Sequence, residues 1–353
     1  NKSELGENST YFVDVSKYAN NGNCTGTACP ALNTTNGKYG NAMTFDGVND
    51  YIQVPNSNTL NFTSHVVSLW FNVGGAGTTG KNYWTLINKN NGASGNYDPF
   101  HIWVSYAYNI GARVGDGAGG NNIELSGGNK VNDGKWHFVS LVVDDPNNQA
   151  YLYLDGNLVN NQAWSYPLVS TPDPITFGYW VAYGDYFNGS IDEVRIYNRS
   201  LSADEVYELY ASNLLKFNQT QWYLTVNQSG VTGQFVTGTY TYSASVKDSA
   251  GNYNATEIRT IDIDNNPQQI NFINPTPANL TSTTNTSILI NVSIPEIYLN
   301  EVKFNWNNTN YTLYNDSLVF MMNFENKSEL GENSTYFVDV SKYANNGYCT
   351  SGL

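Results

Sequence analysis

The chain has 353 residues, of which 40% are apolar, and a net charge of −14 with only 13% charged residues. That length predicts two or three domains, and that apolar content excludes wholesale disorder. The acidic balance excludes nucleic acid, which needs a basic face. No run approaches the ~20 apolar residues of a membrane span.

The first element is a repeat. NKSELGENSTYFVDVSKYANNG, Asn1 to Gly22, returns unchanged at Asn326 to Gly347. Self-similarity of this kind signals a repeating architecture. The second copy is preceded by SLVFMMNFE (Ser317 to Glu325), an apolar, aromatic run that reads as a strand. The expectation is one period of a tandem array, with neighbouring copies of itself as partners. The first strand of the N-terminal domain would then come from a 317–325 equivalent.

Cys24 and Cys29 in NCTGTACP are close enough in sequence to close a short disulfide. Cys349 is the second copy of Cys24, and an odd cysteine is worth flagging. Asn-x-Ser/Thr sequons are numerous: Asn8, Asn33, Asn61, Asn188, Asn198, Asn218, Asn227, Asn254, Asn279, Asn285, Asn291, Asn307, Asn310 and Asn315. One reading is chance in a chain rich in Asn, Ser and Thr. The other is N-linked glycans on an extracellular, cell-surface protein.

From Tyr39 onward, short alternating apolar runs are separated by Asp-Gly, Asn-Asp and Pro-Asn turns. They include YWTLINK (83–89), FHIWVSY (100–106), WHFVSLVVDD (136–145), AYLYLDGNLV (150–159) and GSIDEVRIYN (189–198). Asp155-Gly156 is a hairpin signal, and the whole favours a β-sandwich. A single helix is predicted over 203–211. Ser202 is its N-cap and Glu205 closes a capping box.

FDGVNDYIQVP, DGKWHFVSLVVDD, YLYLDGNLV and GSIDEVRIYNRSLSADEVYELY, in that order, resemble the laminin-G-like, concanavalin A-like jelly roll (LamG type 3). The resemblance covers about 1–211 plus the 317–325 strand. It implies two curved antiparallel sheets and a binding rather than a catalytic role. It also implies a structural calcium, with Asp192 as ligand and the Glu325 of the preceding period as its partner; Asp46 and Asp50 in FDGVND are a second option. The plain alternative is that Asp46 shapes a turn and Asp192 makes sheet-end hydrogen bonds. The surface-protein dialect resembles prokaryotic, and specifically archaeal, proteins.

The rest reads as three strands (221–226, 239–246, 255–263) and four more (270–273, 286–294, 301–306, 311–314). Seven strands suit an immunoglobulin-like sandwich, but the half resembling such a module's end precedes the half resembling its start. The expected layout is therefore all-β: a jelly roll over 1–214, the second half of an Ig-like sandwich over 215–265, the first half of the next over 267–316, and the next jelly roll from 317 to 353.

No alternating pair of acids suits glycoside hydrolysis, so no catalytic residue is assigned. Tyr106, Tyr108, Trp164, Tyr179, Trp180 and Tyr183 lie in loop-rich stretches. Of these, Trp164, Trp180 and Tyr183 are the candidates for stacking on sugar rings, against the plainer reading of core or interface packing. The expected function is a non-enzymatic, glycosylated cell-surface stalk or filament, built by strand or half-domain complementation between modules. The competing expectation is a glycan-binding lectin or adhesin.

Overall fold

The computed structural model describes residues 5–75, 83–89, 98–117, 120–181, 183–216, 218–226, 237–263, 269–295, 301–315 and 317–349. The chain divides into two units, Asn1–Phe235 and Val236–Leu353.

The first unit opens with the pair β1 (Tyr11–Phe12) and β2 (Gly22–Asn23), then β3 (Ala31–Asn33), β4 (Ala42–Asp46) and β5 (Ile52–Val54). Longer strands follow: β6 (His65–Val73), β7 (Tyr83–Lys89), β8 (His101–Ser105), β9 (Ile110–Gly115), β10 (Asn122–Gly127) and β11 (His137–Asp144). Next come β12 (Gln149–Leu154), β13 (Asn157–Ala163), β14 (Ile175–Phe177), β15 (Tyr179–Trp180), β16 (Asp185–Tyr186) and β17 (Asn188–Tyr197). Helix α1 (Ala203–Ala211) leads into β18 (Ser212–Lys216), which pairs with β19 (Trp222–Val226).

Two sheets carry this unit. One has eight strands in the order β1-β2-β5-β14-β7-β8-β9-β10, and the other seven in the order β13-β12-β11-β6-β17-β4-β3. Between them lies one apolar core that includes Phe45, Leu69, Phe71, Leu86, Ile102, Ala112, Leu125, Leu141 and Leu152. The jelly-roll expectation is met.

The strand β6 shows why the runs read as they do. HVVSLWFNV carries apolar residues of both parities, Val66 and Trp70 as well as Val67, Leu69, Phe71 and Val73, because both of its faces are covered. Val67, Leu69, Phe71 and Val73 face the main core. Val66 and Trp70 join a second cluster with Phe138, Val142, Leu201 and Val206. The helix supplies that cover, and Tyr210 stacks on Trp70 with ring centroids 5.5 Å apart. Its start is the expected capping box: Glu205 N–H donates to Ser202 Oγ at 3.2 Å, and Ser202 N–H donates to Glu205 Oε2 at 2.9 Å.

The second unit is built differently. It contains β20 (Gly238–Tyr242), β21 (Ser245–Lys247), β22 (Tyr253–Ala255), β23 (Arg259–Ile263), β24 (Asn271–Ile273) and β25 (Asn291–Ser293). It ends with β26 (Val302–Trp306), β27 (Thr309–Tyr314), β28 (Tyr336–Phe337) and β29 (Gly347–Tyr348). Each pairs with one partner only: β20 with β23, β21 with β22, β24 with β25, β26 with β27 and β28 with β29. The expected 239–246 and 255–263 are each interrupted, 286–294 is a strand only at Asn291–Ser293, and 317–325, expected as a strand, is irregular; among the described residues these pairs are not joined into one sandwich. Their apolar side chains stay in solvent: Tyr253 is 67% exposed, Phe272 74% and Trp306 52%. A two-stranded pair offers too little surface to bury a face of its own. The expected boundary at 214 falls inside β18, which the structure keeps with the first unit.

Candidate functional site

The strands β7 to β10 alternate between core and outer face. Trp84, Ile102, Val104, Ala112, Val114 and Leu125 point inward. The opposite parity builds the outer face. Register sets Thr85 opposite Trp103, Trp103 opposite Gly111, and Gly111 opposite Ser126. A second row sets His101 opposite Arg113 and Arg113 opposite Glu124.

On this face lies a cleft of about 270 Å³, lined by Tyr83, Trp103, Ser105, Asn109, Glu124 and Ser126 among others. Tyr83 and Trp103 form an edge-on aromatic wall with centroids 5.0 Å apart. Across it stand hydroxyl, amide and carboxylate groups. Ser105 Oγ accepts Asn109 N–H at 3.2 Å. Arg113 Nη2 donates to Glu124 Oε1 at 2.5 Å, which fixes that carboxylate at the rim.

Beneath the wall is a buried aromatic stack. His101 lies 4.8 Å from Trp103 and 4.4 Å from Trp180, and the Arg113 guanidinium lies 5.3 Å from the Trp180 ring. His101 Nε2 shares a 2.9 Å hydrogen bond with Thr85 Oγ1. Burial first, and then the charge of Arg113, hold the imidazole well below its usual pKa. His101 is thus a neutral packing group that backs the wall.

The sequence candidates are placed as follows. Trp164 and Trp180 are not the exposed plates expected of them: they are 6% and 3% exposed, Trp164 in the main core and Trp180 under Tyr183. Tyr183 is 49% exposed and its ring packs on Trp180 at 4.4 Å. Tyr106 is 73% exposed, whereas Tyr108 packs against the core. Tyr83, half-buried at the cleft, and Trp103, 3% exposed behind it, were missed. Their signal was the shared parity in YWTLINK and HIWVS, legible only once the strands are paired.

Cys24 and Cys29 are joined in a disulfide, and Cys349 is a free, exposed thiol. Asn8, Asn61, Asn198, Asn254, Asn279, Asn285, Asn307 and Asn310 are exposed. Asn33, Asn188, Asn218, Asn291 and Asn315 are half-buried, and Asn227 lies outside the described residues.

The carboxylates expected for calcium in the first unit are each engaged with backbone N–H groups. Asp192 Oδ2 accepts Tyr39 N–H at 3.0 Å and Oδ1 accepts Glu193 N–H at 2.9 Å, so both oxygens already serve the backbone. The neighbouring Glu193 is paired with Arg195 at 3.0 Å. Burial pushes the Asp192 carboxyl up to about 7. Asp46 caps its own turn through Val48 N–H, while Asp50 accepts Asp46 N–H at 2.8 Å. Glu325 is exposed in the second unit. Among the described residues no group of three metal-ligating side chains forms.

Residues 46–207 match the family model Laminin_G_3, described as the Concanavalin A-like lectin/glucanases superfamily. The chain therefore carries a domain of that superfamily. No curated protein matches it. Among solved structures it is similar to the binding domain of Paraclostridial Mosquitocidal Protein 1, at 17% identity over 82% of this chain and 74% of that one, with a TM-score of 0.46. It is also similar to domain 4 of AbnA, a GH43 extracellular arabinanase from Geobacillus stearothermophilus, in complex with arabinotriose: 20% identity, 57% and 87% coverage, TM-score 0.41. A third is the Ruminococcus gnavus IT-sialidase CBM40 bound to alpha2,3 sialyllactose, at 20% identity, 43% and 85% coverage and TM-score 0.36.

Proposed function

We propose that the jelly roll is a non-catalytic, glycan-binding module of an extracellular surface protein, and that it binds in the cleft of Tyr83 and Trp103. The observation that carries this reading is the cleft's composition: the half-buried Tyr83 ring, backed by the buried Trp103, faces Ser105, Asn109, Glu124 and Ser126. Aromatic faces pack on the C–H faces of pyranose rings, while hydroxyl, amide and carboxylate groups meet the ring hydroxyls. Hydrolysis needs two free carboxylates flanking the bond. Glu124 is committed to Arg113, which favours binding over cleavage.

A glycan array probed with the whole chain tests this. Specific binding that Trp103→Ala and Tyr83→Ala abolish is the expected result. Binding that survives both, or none at all, removes the cleft as the site.

A second reading, modules arrayed in a stalk or filament, is favoured by a different observation. The strand pairs of the second unit keep their apolar faces in solvent, as halves of a sandwich completed by a neighbour would. Electron microscopy of native material distinguishes filaments from single particles.

A further inference from the structure

The repeated stretch folds the same way twice. In the first copy Asp14 N–H donates to Asn21 Oδ1 at 2.9 Å, and Asn20 N–H and Ser16 N–H donate to the Asp14 carboxylate at 2.8 Å. In the second, Asp339 N–H donates to Asn346 Oδ1 at 2.9 Å, and Asn345 N–H and Ser341 N–H donate to Asp339 at 2.8 and 2.9 Å. Tyr11–Phe12 pairs with Gly22–Asn23 just as Tyr336–Phe337 pairs with Gly347–Tyr348.

The copies differ in what crosses them. In the second, Met321 N–H donates to Asp339 Oδ1 at 2.8 Å, and Val340 N–H donates back to the Met321 carbonyl at 2.9 Å. Asn345 Nδ2 also donates to the Val319 carbonyl at 3.2 Å. Under this segment Asp339 and Ser341 are 2% and 5% exposed. In the first copy no described residue takes the place of Met321. Asp14 is half-buried, Ser16 is exposed and Val15 is 41% exposed. A cavity of about 520 Å³ opens there instead, lined by Leu5, Gly6, Val13, Asp14, Val15 and Ser16 with Lys216 and Gln219.

We propose that this groove is a docking site for the extended Ser317–Met321 segment of a second copy of the chain, bound through Asp14 and Val15 as Met321 binds Asp339 and Val340. The docked part ends at Met321. Beyond it, Met322 meets Gly347 in the second copy, whereas the same side of Gly22 is already covered by Ile52 and Val54.

The exchange is one of like for like. The donor segment gives up its bonds to Asp339 and Val340 and makes the same bonds to Asp14 and Val15, the logic of segment swapping between identical chains. What it gains is cover. Val319 and Phe320 are 61% and 52% exposed where they lie. The first copy sits on an eight-stranded sheet through Asn23 and Gln53, whereas the second is an isolated pair.

Sedimentation velocity of the full chain across a concentration series, with and without the peptide SLVFMMNFE, tests the proposal. The expected result is concentration-dependent association that excess peptide reverses and that Asp14→Ala weakens roughly tenfold, the worth of a charge-assisted hydrogen bond. Because Asp14 also holds its own loop, a second peptide leaves the protein intact. A proline in place of Met321 removes the N–H that would meet Asp14, and that peptide should not compete. A monomer at every concentration overturns the proposal. So does association indifferent to both peptides and to Asp14→Ala.

Discussion

The indole of Trp103 lies directly over Gly111 on the neighbouring strand. A Cβ placed on Gly111 would come within 2.5 Å of Trp103 Nε1 and Cε2. Tyr83, His101 and the Arg113 guanidinium hold the ring from other sides, so it cannot slide away. Gly111→Ala should destabilise the jelly roll by about 1–3 kcal/mol, the usual cost of overpacking. It should also tilt the cleft wall. Thermal denaturation reads the first effect and glycan binding the second. An unchanged midpoint would mean that the ring is free to move.

His137 sits between two carboxylates, 2.8 Å from Asp155 and 2.9 Å from Asp133. Burial lowers its pKa, but the two hydrogen-bonded carboxylates outweigh that and raise it above its usual value. The stabilisation is thus fully present below the unfolded pKa near 6.5 and is lost as pH rises through the higher folded value. Unfolding free energy measured from pH 5 to 9 should decline through this window. The decline should shrink in His137→Gln. An NMR titration placing His137 below 6.5 would contradict it.

Asp192 carries the same sign for the opposite kind of group. Its folded pKa near 7 lies above the unfolded carboxylate value. Its contribution is therefore largest below about pH 4 and falls as pH rises through 7. Because its oxygens already accept two backbone N–H groups, chelator should leave the melting midpoint unchanged. A drop in midpoint with chelator, restored by calcium, would show that the ion displaces those bonds.

Ser202→Ala removes one arm of the capping box. It should cost about 1 kcal/mol and loosen the helix that covers Trp70. The near-UV circular dichroism of the Trp70–Tyr210 stack should weaken before the sheets unfold.

Much of this architecture was legible in the sequence. Local chemistry set the helix: Ser202 and Glu205 mark its start without reference to anything distant. The long strands were legible because apolar residues fall on both parities where both faces are covered, as in β6. The cleft was not legible. Tyr83, Trp103, Glu124 and Ser126 come from three strands, and only pairing register puts them together. Trp164 and Trp180 misled for the converse reason. Their flanking sequence is loop-like, yet their rings fold back into apolar packing. The strands of the expected Ig-like halves were only partly legible: 239–246 and 255–263 each read as one strand, but each is interrupted, because β20 pairs with β23 and β21 with β22.

The exposure of Trp306 on the pair β26–β27 has a practical consequence. It is the one tryptophan between Val236 and Leu353, while seven others, from Trp70 to Trp222, lie in the first unit. Replacing it with phenylalanine leaves a tryptophan emission, excited selectively over tyrosine, that belongs wholly to the first unit. The difference from the parent spectrum belongs to the second. One dye-free fluorometer trace per protein is then enough to follow each half of the molecule melting by itself.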